Sequence, residues 1–291
     1  MEPDFWGFFA VLTKALAYGG SLVAAGSVLF VVSLKPSPTI VAEVRRAGFV
    51  GAGAGAIATL AFLVVQAGYL LDDGLAGMVD PFALTLVGDG PLGHAAATRL
   101  AGLALVLVAL IVRSLRVPSA VVGALLVAVS FALSGHATAE PRLALSAIIT
   151  THTLGISFWI GALWPLYRAT NLCAQEDAAD LAHRFGNHAM IVVPALIGAG
   201  ALFTLLRVDP VTALATSTYG WTLLGKLLIV LGLLCLALRN RRSIVPAMQT
   251  GNIEGGAKLR RSIGWEAVVF AAILATTAVL TTLTPIPGAS H

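Results

Sequence analysis

The side chains best suited to chemistry are two histidines inside long apolar stretches. His136 closes one apolar run, and His152 lies about ten residues into the next, roughly 15 Å below the end of a helix at 1.5 Å per residue. Trp159 follows His152 by seven residues and shares its helix face. Neutral imidazoles bind copper, zinc or iron, and the Irving–Williams order favours copper. The pair predicts a metal site, with hydrogen bonds between helices as the alternative.

A second and weaker candidate site contains His188 and Met190, two residues apart at the start of a later apolar run. This spacing places them about 200° apart around a helix, so they share one ion only where the helix opens. Pro194 lacks an amide hydrogen and can open a membrane helix. The alternative is an interfacial histidine and a packed methionine. His94, at the mouth of another run, is a further candidate ligand.

Four charged side chains lie within apolar runs, namely Lys14, Arg99, Lys226 and Glu266. A charge within a membrane span costs about 3 kcal/mol or more unless it faces the bundle interior or water, so each is a functional candidate. We expect the three cations to line a vestibule, which would repel a metal cation unless acidic or backbone groups offset the charge. Glu266 and Lys226 lie at different depths, so we expect no direct contact between them.

The composition of the whole chain is that of a membrane protein. Of 291 residues, 58% are hydrophobic and 11% are charged, whereas roughly a quarter of the residues in soluble domains are charged. Disordered, nucleic-acid-binding and secreted disulfide-rich classes are thereby excluded. The two cysteines lie in separate segments and encode neither a disulfide framework nor a thiolate cluster. The sequence also contains no motif of hydrolytic or nucleotide-driven enzymes, so we expect a protein without enzymatic activity.

Eight apolar runs are long enough to cross a bilayer, since a span needs about 20 residues. The sequence therefore predicts an all-α, polytopic bundle of eight transmembrane helices, forming a single integral membrane domain over residues 1–291. The first run lacks the basic start of a cleaved signal, so we expect it to be a permanent helix. The expected helices lie near 5–34, 46–71, 92–113, 118–137, 142–168, 186–207, 219–239 and 262–283.

Basic residues are segregated by loop. Thirteen of the eighteen lysines and arginines follow the first, third, fifth and seventh runs, so the positive-inside rule places both termini on the non-cytoplasmic side. Acidic residues gather in the opposite loops, where they would attract cations. Arg99 and Lys226 each follow a glycine by six residues, on runs of the same orientation. This shared spacing favours a 4+4 parallel repeat. The alternative is that each basic side chain snorkels from the end of its helix to the membrane surface.

A series of short motifs runs in order through the second half of the chain. It comprises Ser134-Gly135-His136-Ala137, His152 seven residues before Trp159-Ile160-Gly161, Tyr219-Gly220 with Lys226, Arg239-Asn240-Arg241, Leu259-Arg260-Arg261-Ser262 with Glu266, and Leu283-Thr284-Pro285. In order and spacing, the series resembles the CopD family of bacterial copper-resistance membrane proteins over about residues 134–285. In the first half, Gly93 and Arg99 resemble a family motif that usually has an aromatic residue where Ala96 stands here.

The resemblance implies a multi-pass protein of the bacterial inner membrane that moves copper from the periplasm inward. It also implies a separate periplasmic partner of the CopC type. On this hypothesis the acidic outer loops attract the ion, His136 and His152 receive it, and a path beside Trp159 leads toward His188 and Met190.

Two other functions are compatible with the same histidines. A membrane b-type cytochrome would use histidines from facing helices to hold haem. A non-transporting anchor would bind copper and dock a copper carrier for oxidase assembly.

Overall fold

The computed structural model describes residues 5–70, 74–134, 140–207 and 218–282. Over these ranges the chain forms eleven α-helices and no strand. The helices are α1 (Phe5–Leu34), α2 (Pro38–Leu70), α3 (Gly74–Gly77), α4 (Pro81–Asp89), α5 (Pro91–Ile111), α6 (Arg116–Ser130), α7 (Arg142–Leu172), α8 (Gln175–Arg207), α9 (Thr218–Arg239), α10 (Val245–Gln249) and α11 (Gly255–Thr282). A 3-10 turn, Arg113–Leu115, precedes α6, and a π-helical turn, Asn240–Ile244, joins α9 to α10.

Eight of these helices are long and apolar enough to cross a membrane, which confirms the predicted fold class. They are α1, α2, α5, α6 with its 3-10 turn, α7, α8, α9 with its extension into α10, and α11. The side on which the termini lie and the 4+4 repeat stay predictions.

Three membrane helices begin earlier than their apolar runs. We expected starts near 46, 186 and 262, whereas α2, α8 and α11 begin at Pro38, Gln175 and Gly255. Polar and basic residues extend each helix beyond its apolar section, because charged side chains are solvated where a helix leaves the hydrocarbon. Hydropathy marks the part of a helix that lies in lipid and not its full length.

The predicted end of the fourth membrane helix near 137 was wrong. Helix α6 ends at Ser130, and the amides of Phe131 and Ala132 bond to carbonyls three residues back. Such tightened bonds are typical of a final helical turn. His136, which we expected to close this helix, lies outside the described residues.

The connections between α1 and α2, α5 and α6, α7 and α8, and α9 and α11 meet at one end of the bundle, which we call the basic end. Contacts across it join separate helices: the Arg184 side chain donates to the Leu34 carbonyl at 2.7 Å, and Gln175 donates to the Asn252 carbonyl at 3.0 Å. Asn171 accepts a hydrogen bond from Arg260. The basic loops predicted to share one side of the membrane therefore lie together.

Helix α1 lies at the centre and contacts α2, α5, α6, α7, α8 and α11. It joins two buried apolar clusters: Leu22 and Phe30 pack with residues of α7 and α11, while Val28 packs with residues of α5 and α6. Helices α8 and α9 lie at the periphery: almost none of the residues in their apolar sections is buried, and many apolar side chains there are exposed. Exposed apolar side chains suit contact with lipid, which is itself apolar.

Glycines allow α1 to approach its neighbours closely. A Cβ on Gly55 of α2 would lie 2.8 Å from the Ser21 amide nitrogen, and one on Gly51 would lie 2.9 Å from the Gly20 carbonyl oxygen. Gly51 and Gly55 therefore form the face of α2 that packs directly against α1. Gly26 meets α7 more closely still, because a Cβ there would overlap the Ser157 carbonyl.

We predict that Gly26→Ala destabilises the protein by forcing α1 away from α7. Overpacking of this kind costs about 1–3 kcal/mol, more than the ~1 kcal/mol that alanine gains in helix propensity. The matched control is Gly53→Ala, because a Cβ on Gly53 meets nothing within 4 Å. Thermal unfolding in detergent should show a lower midpoint for Gly26→Ala only. Equal midpoints for the two variants would contradict the close packing of α1 on α7.

Candidate functional site

His152 is held between two helices. It lies on α7, partly buried, with its Nδ1 atom 3.1 Å from the carbonyl oxygen of Leu196 on α8. A carbonyl oxygen only accepts hydrogen bonds, so Nδ1 carries the proton and the lone pair of the neutral ring is on Nε2. Among the described residues, Nε2 has no hydrogen-bond partner. Metal-binding histidines are commonly oriented in this way by a carbonyl behind the ring.

Glycine makes room for this ring. A Cβ on Gly200 of α8 would lie 3.6 Å from Cε1 of His152. Lys226, on α9, interacts electrostatically with the same ring. His152 is therefore placed where groups from α7, α8 and α9 converge, on the side of the bundle away from the basic end.

Further metal ligands beside His152 are not evident in the described ranges, where no group of three or more His, Cys, Asp or Glu side chains is arranged to bind a metal ion. His136 is the second ligand predicted from sequence. It lies outside the described residues.

Arg99 and Lys14 converge on one aromatic ring, that of Tyr18. The Arg99 guanidinium carbon lies 5.2 Å from the centre of this ring and 4.7 Å from that of Phe131. Its Nε atom donates to Ser130 at 3.2 Å. Arg99 is only 6% exposed, so aromatic faces replace much of the water that a guanidinium needs.

Lys14 connects α1 to the last turn of α11. Its Nζ atom donates to the Thr281 carbonyl at 2.9 Å and to the Thr282 hydroxyl at 3.3 Å. Carbonyls in the last turn of a helix lack intrahelical partners and carry partial negative charge, so a cation is favoured there. The three cations of the predicted vestibule thus divide into two groups: Lys14 and Arg99 meet at Tyr18, while Lys226 interacts electrostatically with His152.

Glu266 is the centre of a buried polar triad. The indole nitrogen of Trp159 donates to its Oε2 atom at 3.1 Å, and the side-chain amide of Asn240 donates to its Oε1 atom at 2.6 Å. Trp159 packs edge-on against Phe270, with ring centres 5.6 Å apart. The triad joins α7, the π-helical turn and α11 nearer the basic end. Lys226 is not among its members, which agrees with the expected separation in depth.

A second buried carboxylate lies at the basic end. Glu43, on α2, is 5% exposed and accepts from Arg46 at 2.9 Å and from Arg168 of α7 at 2.9 Å. This ion pair fastens α2 to α7, in a region that the sequence analysis assigned to a loop.

The predicted inner pair does not form a common site. Helix α8 runs unbroken through Pro194, and His188 lies about 20 Å from its start, not at its beginning. The His188 Nδ1 atom is 3.0 Å from the Arg184 carbonyl of its own helix, and the ring lies 6.0 Å from that of Phe158. Met190 is 58% exposed, so the alternative of a packed methionine was also wrong.

His94 and two acidic residues of the loops, Asp80 and Glu140, lie near the end opposite the basic one. His94 is exposed near the start of α5. Asp80 caps α4 by accepting from the Ala83 amide at 2.8 Å, and Glu140 accepts from the Arg142 amide at 3.2 Å. These two acids thus have local structural partners. Asp72, Asp73 and Asp209 lie outside the described residues.

Sequence reasoning missed Tyr18, Glu43 and Asn240. Tyr18 gave a usable signal, because it lies four residues after Lys14 and therefore on the same helix face. Asn240 stood in a quoted motif, but nothing in its local sequence pairs it with Glu266, 26 residues later.

We predict that Glu43→Gln destabilises the bundle, since it removes the charge that Arg46 and Arg168 share. Hydrogen bonds to charged groups are worth about 1.5–3 kcal/mol. Glu254→Gln is the control, because its ion pair with Lys258 is exposed and exposed ion pairs add little to stability. Chemical unfolding in detergent should separate the two variants. Similar losses in both would show that the buried pair has no special role.

Comparisons with known proteins give matches to two family models. The model described as Copper resistance protein D matches residues 179–280, and the model described as Copper resistance protein D-like, N-terminal domain, matches residues 3–144. The likeness therefore reaches further into the first half than the motifs predicted, while His152 and Trp159 fall between the two matches. No curated protein and no solved structure matches. Because the two family matches together cover most of the chain, the chain belongs to the copper resistance protein D family of membrane proteins.

Proposed function

We propose that this protein is a copper permease of the bacterial inner membrane that moves copper ions from the periplasm to the cytoplasm. The observation that carries the proposal is the His152 ring, whose Nδ1 proton is engaged by the Leu196 carbonyl and whose Nε2 lone pair is free for a cation. Membership of a copper-resistance family favours copper as that cation. Carrying an ion requires no bond to be made or broken, so no catalytic residue is assigned.

The proposed route starts at the acidic loops opposite the basic end. His136 and His152 bind the ion, with copper as the substrate and not as a resident cofactor. Trp159 lies about 10 Å further along the same face of α7, and the route passes beside it toward His188. The His188 ring also has its Nδ1 on a backbone carbonyl, which leaves Nε2 available. Met190 lies on a different face of α8, so its thioether, which would suit Cu(I), is a separate contact for the ion and not a second ligand of a shared site.

Lys226 sets the electrostatics of the outer site. Its ammonium group interacts with the His152 ring and would repel a bound cation. A transport site must release its ion as well as bind it, so this repulsion limits how tightly copper is held. A periplasmic copper-binding protein of the CopC type would then deliver the ion to a site of moderate affinity.

The first test is copper uptake into vesicles that contain the purified protein, with Cu(I) and Cu(II) supplied separately. His152→Ala and His136→Ala should each reduce uptake to the level of vesicles without protein, because each removes one of two proposed ligands. His183→Ala is the matched control, since His183 is an exposed histidine of α8. Parental uptake by both variants would show that the route is wrong.

The same preparation separates the other two functions. A Soret band in the purified protein would indicate a b-type cytochrome. Bound copper without any flux into vesicles would indicate an anchor that does not transport.

A second prediction concerns Lys226→Met, which keeps the length of the side chain and removes its charge. Loss of one repulsive charge at close range should strengthen copper binding by about tenfold. Lys258→Met is the control, because Lys258 is exposed and paired with Glu254 at 2.7 Å. Competitive titration against a copper chelator gives both affinities. Unchanged or weaker binding in Lys226→Met would contradict a copper site at His152.

A further inference from the structure

The carboxylate of Glu266 is buried without a cation. The side chain is 4% exposed, and its hydrogen-bond donors are neutral groups, the Trp159 indole and the Asn240 amide. A buried ionised carboxylate is costly unless it is paired, so ionisable groups inside membrane bundles commonly mark ion or proton pathways. Glu43 shows the contrast within the same chain, since it has two arginine partners.

Other charged and titratable side chains lie on the elements packed against α11, but none of those described is an ionic partner of Glu266. Those with described side chains are Lys14 and Tyr18 of α1, Arg142, His152, Tyr167 and Arg168 of α7, Lys226, Cys235 and Arg239 of α9, and Arg241 and Arg242 of the π-helical turn. On α11 itself, Lys258 pairs with Glu254 and Arg260 with Asn171, and Arg261 is exposed. Among the described residues, which include every connection at the basic end, no charged side chain interacts with Glu266.

Asn240 can serve both protonation states of Glu266. Its Nδ2 atom donates to the carboxylate, while its Oδ1 atom is buried and has no partner among the described residues. If Glu266 takes up a proton, the acid hydroxyl needs an acceptor, and a half-turn of the Asn240 amide supplies Oδ1. The residue begins a π-helical turn, a distortion that recurs at functional sites.

We propose that Glu266 is a proton-binding site whose proton is exchanged for copper during transport. The inference rests on the proposed function and adds the coupling of copper movement to proton movement. In each cycle a proton leaves Glu266 for water on the periplasmic side as copper binds from that side, and another returns from water on the cytoplasmic side after copper departs there. Copper and protons therefore move in opposite directions.

Electrostatics gives the direction of this coupling. His152 lies about 10 Å along α7 from Trp159, which contacts Glu266. For a charge about 10 Å from the carboxylate and an effective dielectric near 20, one positive charge in the region of His152 would change the proton affinity of Glu266 on the order of tenfold. Linkage is reciprocal, so a proton on Glu266 weakens copper binding by the same factor. The coupling grows as the ion advances beside Trp159.

The test uses vesicles that contain the full chain and a pH-sensitive dye in the lumen. Copper entry should make the lumen more alkaline, and an acidic lumen imposed beforehand should speed copper uptake. Glu266→Gln should abolish both effects while exchange of labelled copper for unlabelled copper persists at saturating concentration. Glu254→Gln, a change at an exposed acid, should behave like the parent protein.

A second variant keeps the proposal testable if Glu266→Gln does not fold. Trp159→Phe removes one donor to the ionised carboxylate but keeps an aromatic ring against Phe270. It should shift the midpoint of copper uptake against pH by about one pH unit to higher pH. Trp164→Phe is the control on the same helix, because Trp164 is exposed and stacks on Tyr167. No shift, or the same shift in both variants, would overturn the proposal.

The outcomes distinguish a failure of proton exchange from a failure of copper transport. Copper movement by the parent protein with no change of luminal pH would overturn proton exchange and leave the permease intact. Luminal acidification during copper entry would also overturn it, because copper and protons would then move together. No copper movement by the parent protein would overturn the permease itself.

Discussion

Hydrocarbon offers no hydrogen bonds, so a polar group inside this bundle is costly unless the protein, water or a carried ion supplies a partner for it. This constraint explains the contacts of the unusual residues better than any motif does. Arg99 rests on two aromatic rings, Lys14 reaches the carbonyls at the end of α11, and Glu266 takes hydrogen bonds from an indole and an amide. Each of these contacts joins separate helices, so the polar groups that are costly in lipid also determine how the helices pack.

The polar groups follow an order along the bundle. Lys14 and Arg99 lie at the end opposite the basic one, His152 lies between α7, α8 and α9, and the Glu266 triad lies nearer the basic end. Helix α1 holds these levels in place through its central position and its glycine contacts. The peripheral helices α8 and α9 supply the Leu196 carbonyl and Lys226, so a shift of either helix would alter the surroundings of His152 directly.

Much of the fold could be predicted from hydropathy, because eight apolar runs that are each long enough to cross the bilayer predict a bundle of transmembrane helices. The ends of the helices could not be predicted from hydropathy, because charged segments, such as the one that contains Arg45 and Arg46, continue α2 beyond the lipid. Family membership was also predictable, because order and spacing of short motifs survive in sequence. Contacts between distant segments were not predictable, because nothing near Glu266 in the chain indicates that Asn240 and Trp159 are its partners. The position of His188 was misjudged for the same reason as the helix ends, since its helix begins at Gln175.

The proposed copper transport requires imidazole nitrogen as the ligand that receives copper inside the membrane. X-ray absorption spectroscopy of the copper-loaded protein measures this directly. We expect a first shell that contains nitrogen, with the outer-shell scattering that is typical of imidazole, and a weaker imidazole signal once His152 is replaced. A first shell of sulfur alone, or an imidazole signal unchanged by replacement of both His136 and His152, would contradict the account.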